Sequence, residues 1–156
     1  MKLSANFTLD ELIKSQVAER KGINNNPSPE QIENLKALTQ NVLQPVRANF
    51  DKPLMISSGF RCAQLCLEIG SSINSQHCAD NEAAAADFEI WGVDNEVLAT
   101  WIKSELEFDQ LILEFHKKGE PNSGWVHCSY SRNQNRQQSL RATREDGKVK
   151  YRPWSK

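Results

Sequence analysis

The chain has 156 residues, of which 38% are apolar and 25% charged, so it is long and apolar enough to bury a core and is not of disordered composition. The net charge of −1 excludes the basic excess of a nucleic-acid-binding protein, and the apolar runs are too short to cross a bilayer. We therefore expect one domain over residues 1–156 that is monomeric, with no nucleic-acid and no membrane partner.

Two helices with clear start signals occupy the first third of the chain. Thr8 followed by Glu11 forms a capping-box pattern and predicts a helix over residues 6–14. Ser28 followed by Gln31 predicts the start of a second helix. Neither helix carries an obvious catalytic group, so we interpret both as scaffold. The apolar residues of the second helix recur at helical spacing: Ile32, Leu35, Leu38, Val42, Leu43 and Val46.

Residues 54–61 have the pattern of a strand that enters a glycine turn, and residues 62–69 that of a short helix. Arg61 lies just beyond the turn. Two interpretations remain open for it: a surface arginine, or a guanidinium that binds a carboxylate or a developing oxyanion, for which its planar donors are suited.

Residues 108–115 form the strongest strand pattern, after a helix that Asp94 can cap. Alternation places Glu114 at the end of this strand among apolar residues, where burial would raise its pKa and suit it to act as a general base. A carboxylate facing solvent is the alternative. Pairing with a second strand over residues 125–130 would bring Glu114 close to His127, whereas His116 is expected to be solvated.

The C-terminal part reads as a hairpin around Asp146-Gly147. Four arginines in this part can meet an anionic polymer or form an ordinary charged surface: Arg132, Arg136, Arg141 and Arg144.

Two histidines and one aspartate are candidate metal ligands. His77 lies upstream of Asp87, which belongs to a predicted strand, and His127 lies in the strand over residues 125–130. Three protein ligands are the number that a catalytic zinc uses when it keeps a fourth position open for water. Such a trio also arises by chance in many sequences.

The four cysteines do not form a Cys-x-x-Cys zinc pattern, and we expect them to be reduced, small buried residues. A thiol nucleophile beside histidine is disfavoured, because adjacent residues of a strand, such as His127 and Cys128, point to opposite faces. The cysteines are Cys62, Cys66, Cys78 and Cys128.

Several segments in fixed order resemble the zinc D-alanyl-D-alanine peptidases, a family that shares its fold with the hedgehog signalling domain. They are Ser-Ser-Gly-Phe-Arg at 57–61, Ser-Gln-His at 75–77, Ala-Ala-Asp at 85–87 and Trp-Val-His at 125–127. The opening Asn-Phe-Thr-Leu-Asp-Glu-Leu and the segments Phe-Asp-Gln-Leu-Ile-Leu-Glu and Pro-Asn-Ser-Gly-Trp-Val-His-Cys-Ser are similar to phage-encoded members, including endolysins. The resemblance implies an α+β fold in which a small antiparallel sheet packs against helices.

The resemblance also implies roles for individual residues. His77, Asp87 and His127 would bind one Zn²⁺ per chain. Arg61 would contact substrate or stabilise the oxyanion, and Glu114 would be the general base. Two further residues would line the substrate pocket: Ser75 and Gln76.

The function implied is a zinc-dependent peptidase that hydrolyses peptidoglycan stem peptides, as a D-Ala-D-Ala carboxypeptidase or an L-Ala-D-Glu-type endopeptidase, in phage cell-wall lysis. With no signal-peptide pattern at the N-terminus, we expect synthesis in the host cytoplasm and action on the cell wall after release or as a virion component. The alternative is a non-catalytic wall-binding or virion structural protein that retains the fold.

The chain departs from the family pattern at three places. Nine residues, none of them glycine, separate His77 from Asp87, which is a longer spacing than usual, and Asn81 is expected to take a left-handed turn there. Gly124 stands where several branches carry a catalytic acid. Cys66 stands where phage relatives tend to carry asparagine.

Overall fold

The computed structural model describes residues 1–154. Strands β1 (Lys2–Ser4) and β2 (Phe7–Thr8) pair with each other, and helices α1 (Leu9–Ile13) and α2 (Gln16–Lys21) follow. The predicted capping is confirmed, since the Thr8 amide donates to the Glu11 carboxylate at 3.1 Å. The helix begins later than expected because the backbone before it is committed to the β1–β2 pairing.

The second predicted helix is interrupted by one π-helical turn. Helix α3 (Pro29–Leu38) passes through residues 39–43 into α4 (Gln44–Phe50), and the Gln44 amide reaches back five residues to the Thr39 carbonyl. Pro45 accounts for the interruption, because a proline has no amide hydrogen and its ring crowds the preceding turn. The Ser28–Gln31 capping box is present as predicted.

The remaining elements follow the predicted order, and a short 3₁₀ turn precedes β4. Their bounds are β3 Leu54–Ser58, α5 Ala63–Glu68, the 3₁₀ turn Gln76–Cys78, β4 Ala83–Ile90, α6 Asn95–Glu105, β5 Gln110–Glu114, β6 Trp125–Ser131, β7 Gln138–Glu145 and β8 Lys148–Pro153. Within residues 1–154, no helix has the length and apolarity needed to cross a membrane.

The main sheet has six strands in the order β3-β4-β6-β5-β7-β8. The expected antiparallel pairing is present between the other neighbouring strands, whereas β5 and β7 pair in parallel. The segment after β6 carries the chain past the start of β5 to its other side, where the Gln137 amide donates to the Phe108 carbonyl at 3.1 Å. The β7–β8 hairpin is confirmed, and Asp146 and Gly147 both have the positive φ that its tight turn requires.

The two faces of the sheet have different roles. Phe88, Val126 and Leu113 lie side by side across three strands and are buried in the core with the helices. The alternate positions, which include Asp87 and His127, therefore point to the opposite face. This second face carries the candidate site.

Candidate metal centre and substrate cleft

His77, Asp87 and His127 converge, and one ligand atom from each lies within 4.8 Å of the others. His77 Nε2 is 3.4 Å and His127 Nδ1 is 2.9 Å from Asp87 Oδ1. Asp87 and His127 are directly opposite each other on β4 and β6, and His77 enters from the 3₁₀ turn. The three predicted ligands are therefore brought together by strand register and one short turn.

The orientation of His77 is fixed by the glycine turn after β3. Its Nδ1 lies 2.8 Å from the Gly59 carbonyl oxygen, a contact that assigns the proton to Nδ1 and leaves Nε2 free for a metal. A Cβ at Gly59 would lie 2.2 Å from the Leu12 carbonyl oxygen, so only glycine fits. The Arg61 amide donates to the His77 carbonyl at 2.9 Å and ties the two segments together.

The pKa values of Asp87 and His77 are both shifted in the direction that suits a zinc ligand. Burial would raise the pKa of Asp87, but the neighbouring imidazoles of His127 and His77 outweigh it and hold that pKa well below its usual range. Burial lowers the pKa of His77, against the opposing effect of Asp87. Zinc takes carboxylate oxygens and imidazole nitrogens as donors, so the residues present fit this metal.

The long segment between His77 and Asp87 does not separate the ligands. Asn81 has the left-handed conformation predicted for it, with φ 55°, and Ala79 and Glu82 share this conformation. The chain then enters β4 at Ala83, so that part of the extra length is absorbed as strand.

Glu114 lies on the same face of the sheet as the metal ligands. Ile112 is opposite His127 in the β5–β6 pairing, and Glu114 is two residues further along β5, opposite Trp125. The Trp125 indole N–H donates to Glu114 Oε2 at 2.8 Å. Burial raises the pKa of Glu114, partly offset by the nearby His127. The alternative of a solvent-facing acid therefore does not hold.

Arg61 is not a free surface arginine. Its Nε donates to Ser58 Oγ at 2.9 Å, its Nη2 is 3.7 Å from Asp87 Oδ2, and its side chain is 19% exposed. These contacts hold the guanidinium at the edge of the metal site.

The metal ligands, Arg61 and Glu114 line one cleft of about 790 Å³, and Ser75 and Gln76 line it as well. Every predicted site residue therefore belongs to this cleft. The lining residues that sequence reasoning did not single out as site residues include Asp109, Arg136 and Tyr151.

Asp109 and Arg136 form an ion pair in the lining of the cleft. Arg136 binds Asp109 with two parallel hydrogen bonds of 3.0 and 2.9 Å, and Gln76 Nε2 donates to Asp109 at 2.6 Å. Alternation would have turned Asp109 to the helix side, but β5 begins only at Gln110. The four C-terminal arginines do not form one surface, since Arg132 binds Asn34 and Arg141 pairs with Glu96.

The expectation that His116 is solvated is wrong. Its side chain is 3% exposed and its Nε2 is 3.1 Å from Asp94 Oδ1, on the residue that caps α6. The pairing spans 22 residues and leaves no local sequence signal.

The cysteines are free thiols, as predicted, and Cys66, Cys78 and Cys128 are buried, whereas Cys62 is only partly buried. The sulfurs of Cys66 and Cys78 are 3.1 Å apart, and burial raises the pKa of Cys78 to about 12. A thiol held so firmly protonated is a poor nucleophile, which agrees with the preference for a metal over a thiol mechanism.

Two histidines and an aspartate at the wall of a cleft, beside a half-buried carboxylate and a guanidinium, define the arrangement of a zinc metallopeptidase. The chain belongs to the M15 peptidases, the family of the zinc D-Ala-D-Ala carboxypeptidases, because a model of that family matches residues 5–129. No curated protein matched the sequence significantly. Family membership indicates a zinc-dependent hydrolase with a peptidoglycan-type substrate.

Proposed function

We propose that this protein is a zinc peptidase that hydrolyses peptidoglycan stem peptides, at a D-Ala-D-Ala or an L-Ala-D-Glu bond, with one zinc per chain. The observation that carries the proposal is the convergence of His77, Asp87 and His127 on the face of the sheet that also carries Glu114. A catalytic zinc site needs three such ligands and an adjacent base.

His77, Asp87 and His127 would hold the zinc ion, which would supply a Lewis acid for the scissile carbonyl and for a water molecule whose pKa such a metal lowers to about 7. Glu114 accepts the proton of the attacking water and delivers it to the leaving amine, and the raised direction of its pKa makes it a stronger base than an ordinary carboxylate. Arg61 binds the substrate carboxylate or the developing oxyanion, and Asp87 holds it beside the site.

A role in phage cell-wall lysis is the biological setting that we propose. The segments similar to phage-encoded members support it. In this setting the protein is made in the host cytoplasm and reaches the wall after release or as part of the virion.

The first test is the metal content of the purified protein. We expect about one zinc per chain in the wild type and in Asp80→Ala, which removes a cleft carboxylate outside the ligand trio. Asp87→Ala should lose the metal. Zinc retained in Asp87→Ala, or absent from the wild type after reconstitution, would contradict the proposed ligand set.

The second test is hydrolysis of synthetic stem peptides. Chelator should abolish it and added zinc should restore it. Glu114→Gln should retain zinc and lose about 10²- to 10⁴-fold in kcat, the usual contribution of a general base. Glu120→Gln, on an exposed residue of the following loop, is the control and should leave the rate unchanged.

A non-catalytic wall-binding or virion structural protein is the second candidate. It is motivated by Gly124, which stands where several family branches carry a catalytic acid. Wall-peptide binding without turnover in the zinc-loaded wild type would favour it, whereas turnover that depends on Glu114 would exclude it.

A further inference from the structure

One row of residues crosses the sheet from the metal site to its far edge. Trp125 is opposite Glu114, Glu114 is opposite Ala142, and Ala142 is opposite Tyr151, through β6, β5, β7 and β8 in turn. Directly opposed residues point to the same face of a sheet. Tyr151 therefore lies on the face of Glu114, although β7 and β8 lie beyond the region matched by the family, residues 5–129.

Tyr151 lines the same cleft as Glu114 and Trp125. Ala142, which stands between Tyr151 and Glu114 in the row, is buried and presents only a methyl group between them. The tyrosine is 54% exposed, and across residues 1–154 its hydroxyl has no hydrogen-bond partner. A phenol is both a donor and an acceptor, so this hydroxyl is available to a ligand in the cleft.

The strand order indicates which part of a bound substrate would lie near Tyr151. The metal ligands on the sheet belong to β4 and β6, Glu114 to the next strand β5, and Tyr151 to the edge strand β8. A base that returns its proton to the leaving amine must lie beside the leaving group. The leaving-group side of a bound peptide therefore extends from Glu114 towards β8.

We propose that the Tyr151 hydroxyl donates a hydrogen bond to a carbonyl or carboxylate oxygen of the substrate residue that follows the scissile bond. This proposal rests on the proposed peptidase function and adds a specificity-determining residue to it. Burial and the charges of Glu114 and Asp87 raise the pKa of Tyr151, so the phenol is protonated near neutral pH and can donate.

The test uses Tyr151→Phe, which removes only the hydroxyl. Tyr130→Phe is the matched control, because Tyr130 is the other tyrosine of the chain and packs against the core on the opposite face of the sheet. Both changes are made in zinc-loaded Glu114→Gln protein, so that binding is measured without turnover. The ligands are a stem pentapeptide, the tetrapeptide without its last D-alanine, and N-acetyl-L-alanine, each titrated by NMR.

Tyr151→Phe should weaken pentapeptide binding by about 3- to 10-fold, the range of one hydrogen bond, and leave N-acetyl-L-alanine within about 2-fold. If Tyr151→Phe does not weaken tetrapeptide binding, the scissile bond is assigned as D-Ala-D-Ala. If it weakens tetrapeptide binding as much as pentapeptide binding, the scissile bond is assigned as L-Ala-D-Glu. Tyr130→Phe should leave the affinity for each of the three ligands within about 2-fold of that of the parent Glu114→Gln protein.

Pentapeptide affinity unchanged by Tyr151→Phe, or an equal loss for N-acetyl-L-alanine, overturns the assignment. No measurable pentapeptide binding also overturns it. Turnover by the zinc-loaded wild type is measured separately. A wild type that binds but does not hydrolyse refutes the peptidase function, while a Tyr151-dependent affinity in that protein still supports the contact.

Discussion

Gly124 offers the sharpest test of the geometry around Glu114. It has φ +65°, and a Cβ added there would lie 1.8 Å from the Glu114 carbonyl oxygen, far inside contact distance. Gly119, in the same connection between β5 and β6, also has positive φ, but a Cβ there meets nothing within 4 Å. Alanine at the two positions therefore separates backbone strain from steric overlap.

The expected costs follow from these two effects. A left-handed alanine costs about 1–2 kcal/mol at either position. At Gly124 overpacking adds about 1–3 kcal/mol, so Gly124→Ala should destabilise the protein by about 2–5 kcal/mol and Gly119→Ala by about 1–2 kcal/mol.

Urea unfolding of the two variants beside wild type measures this difference through the midpoint at constant m. Because the clashing atom belongs to Glu114, Gly124→Ala should also lower the peptidase rate, while Gly119→Ala should not. Equal destabilisation by the two changes would refute the reasoning. The same clash means that a catalytic carboxylate cannot be supplied from position 124 on this backbone, which supports Glu114 as the base.

Three further outcomes are expected. Burial would raise the pKa of Asp109, but hydrogen bonds from Arg136 hold that pKa below its usual value. The ionised Asp109 therefore contributes to the free energy of unfolding above about pH 4, and this contribution is lost as the pH falls through the folded-state pKa. Asp109→Asn should thus cost about 1–3 kcal/mol at pH 7 and progressively less in acid, and a pH-independent difference in unfolding free energy would contradict this. Because the pKa of Glu114 is raised, the acid limb of the kcat/KM profile should lie at a pH above the usual glutamate pKa of about 4.3. An acid limb at or below that pH would argue against Glu114 as the base. Asn95 is 1% exposed, and its side-chain amide donates to the Ser123 carbonyl at 3.1 Å. Asn95→Ala should therefore lower the free energy of unfolding in urea by about 1–3 kcal/mol. The control Asn41→Ala, on an exposed helix face, should lower it by less than about 0.5 kcal/mol.

Local chemistry made part of this structure predictable. The Ser28–Gln31 capping box and the Asp94 cap are encoded within a few residues, and both appear as expected. The alternation that places Glu114 on one face of β5 is equally local. These signals depend on backbone geometry over one turn or one strand, which the sequence specifies directly.

The features that were not predicted all depend on contacts between residues that are far apart in the sequence. The parallel β5–β7 contact depends on where the chain crosses after β6, and the row that carries Tyr151 exists only because of that crossing. The burial of His116 depends on Asp94, and the role of Asp109 depends on Arg136, 27 residues away. Periodicity does not report such contacts.

The long connection between His77 and Asp87 shows how the scaffold supports the site. Left-handed Ala79 and Glu82 cost about 1–2 kcal/mol each, so the connection needs contacts that hold it in place. The buried Asn34 on α3 donates to the Ala79 carbonyl at 2.7 Å, and the Arg132 amide after β6 donates to the Glu82 carbonyl at 2.8 Å.

Gln31, also on α3, reaches the Cys78 carbonyl at 3.1 Å, one residue beyond His77. Helix α3, interpreted from sequence as scaffold alone, therefore fixes the turn that presents His77, one of the proposed metal ligands, and the path that leads to Asp87. Because these hydrogen bonds go to backbone carbonyls, they constrain where the chain runs independently of the side chains within the connection. This explains how a connection with unusual length and no glycine still delivers Asp87 opposite His127.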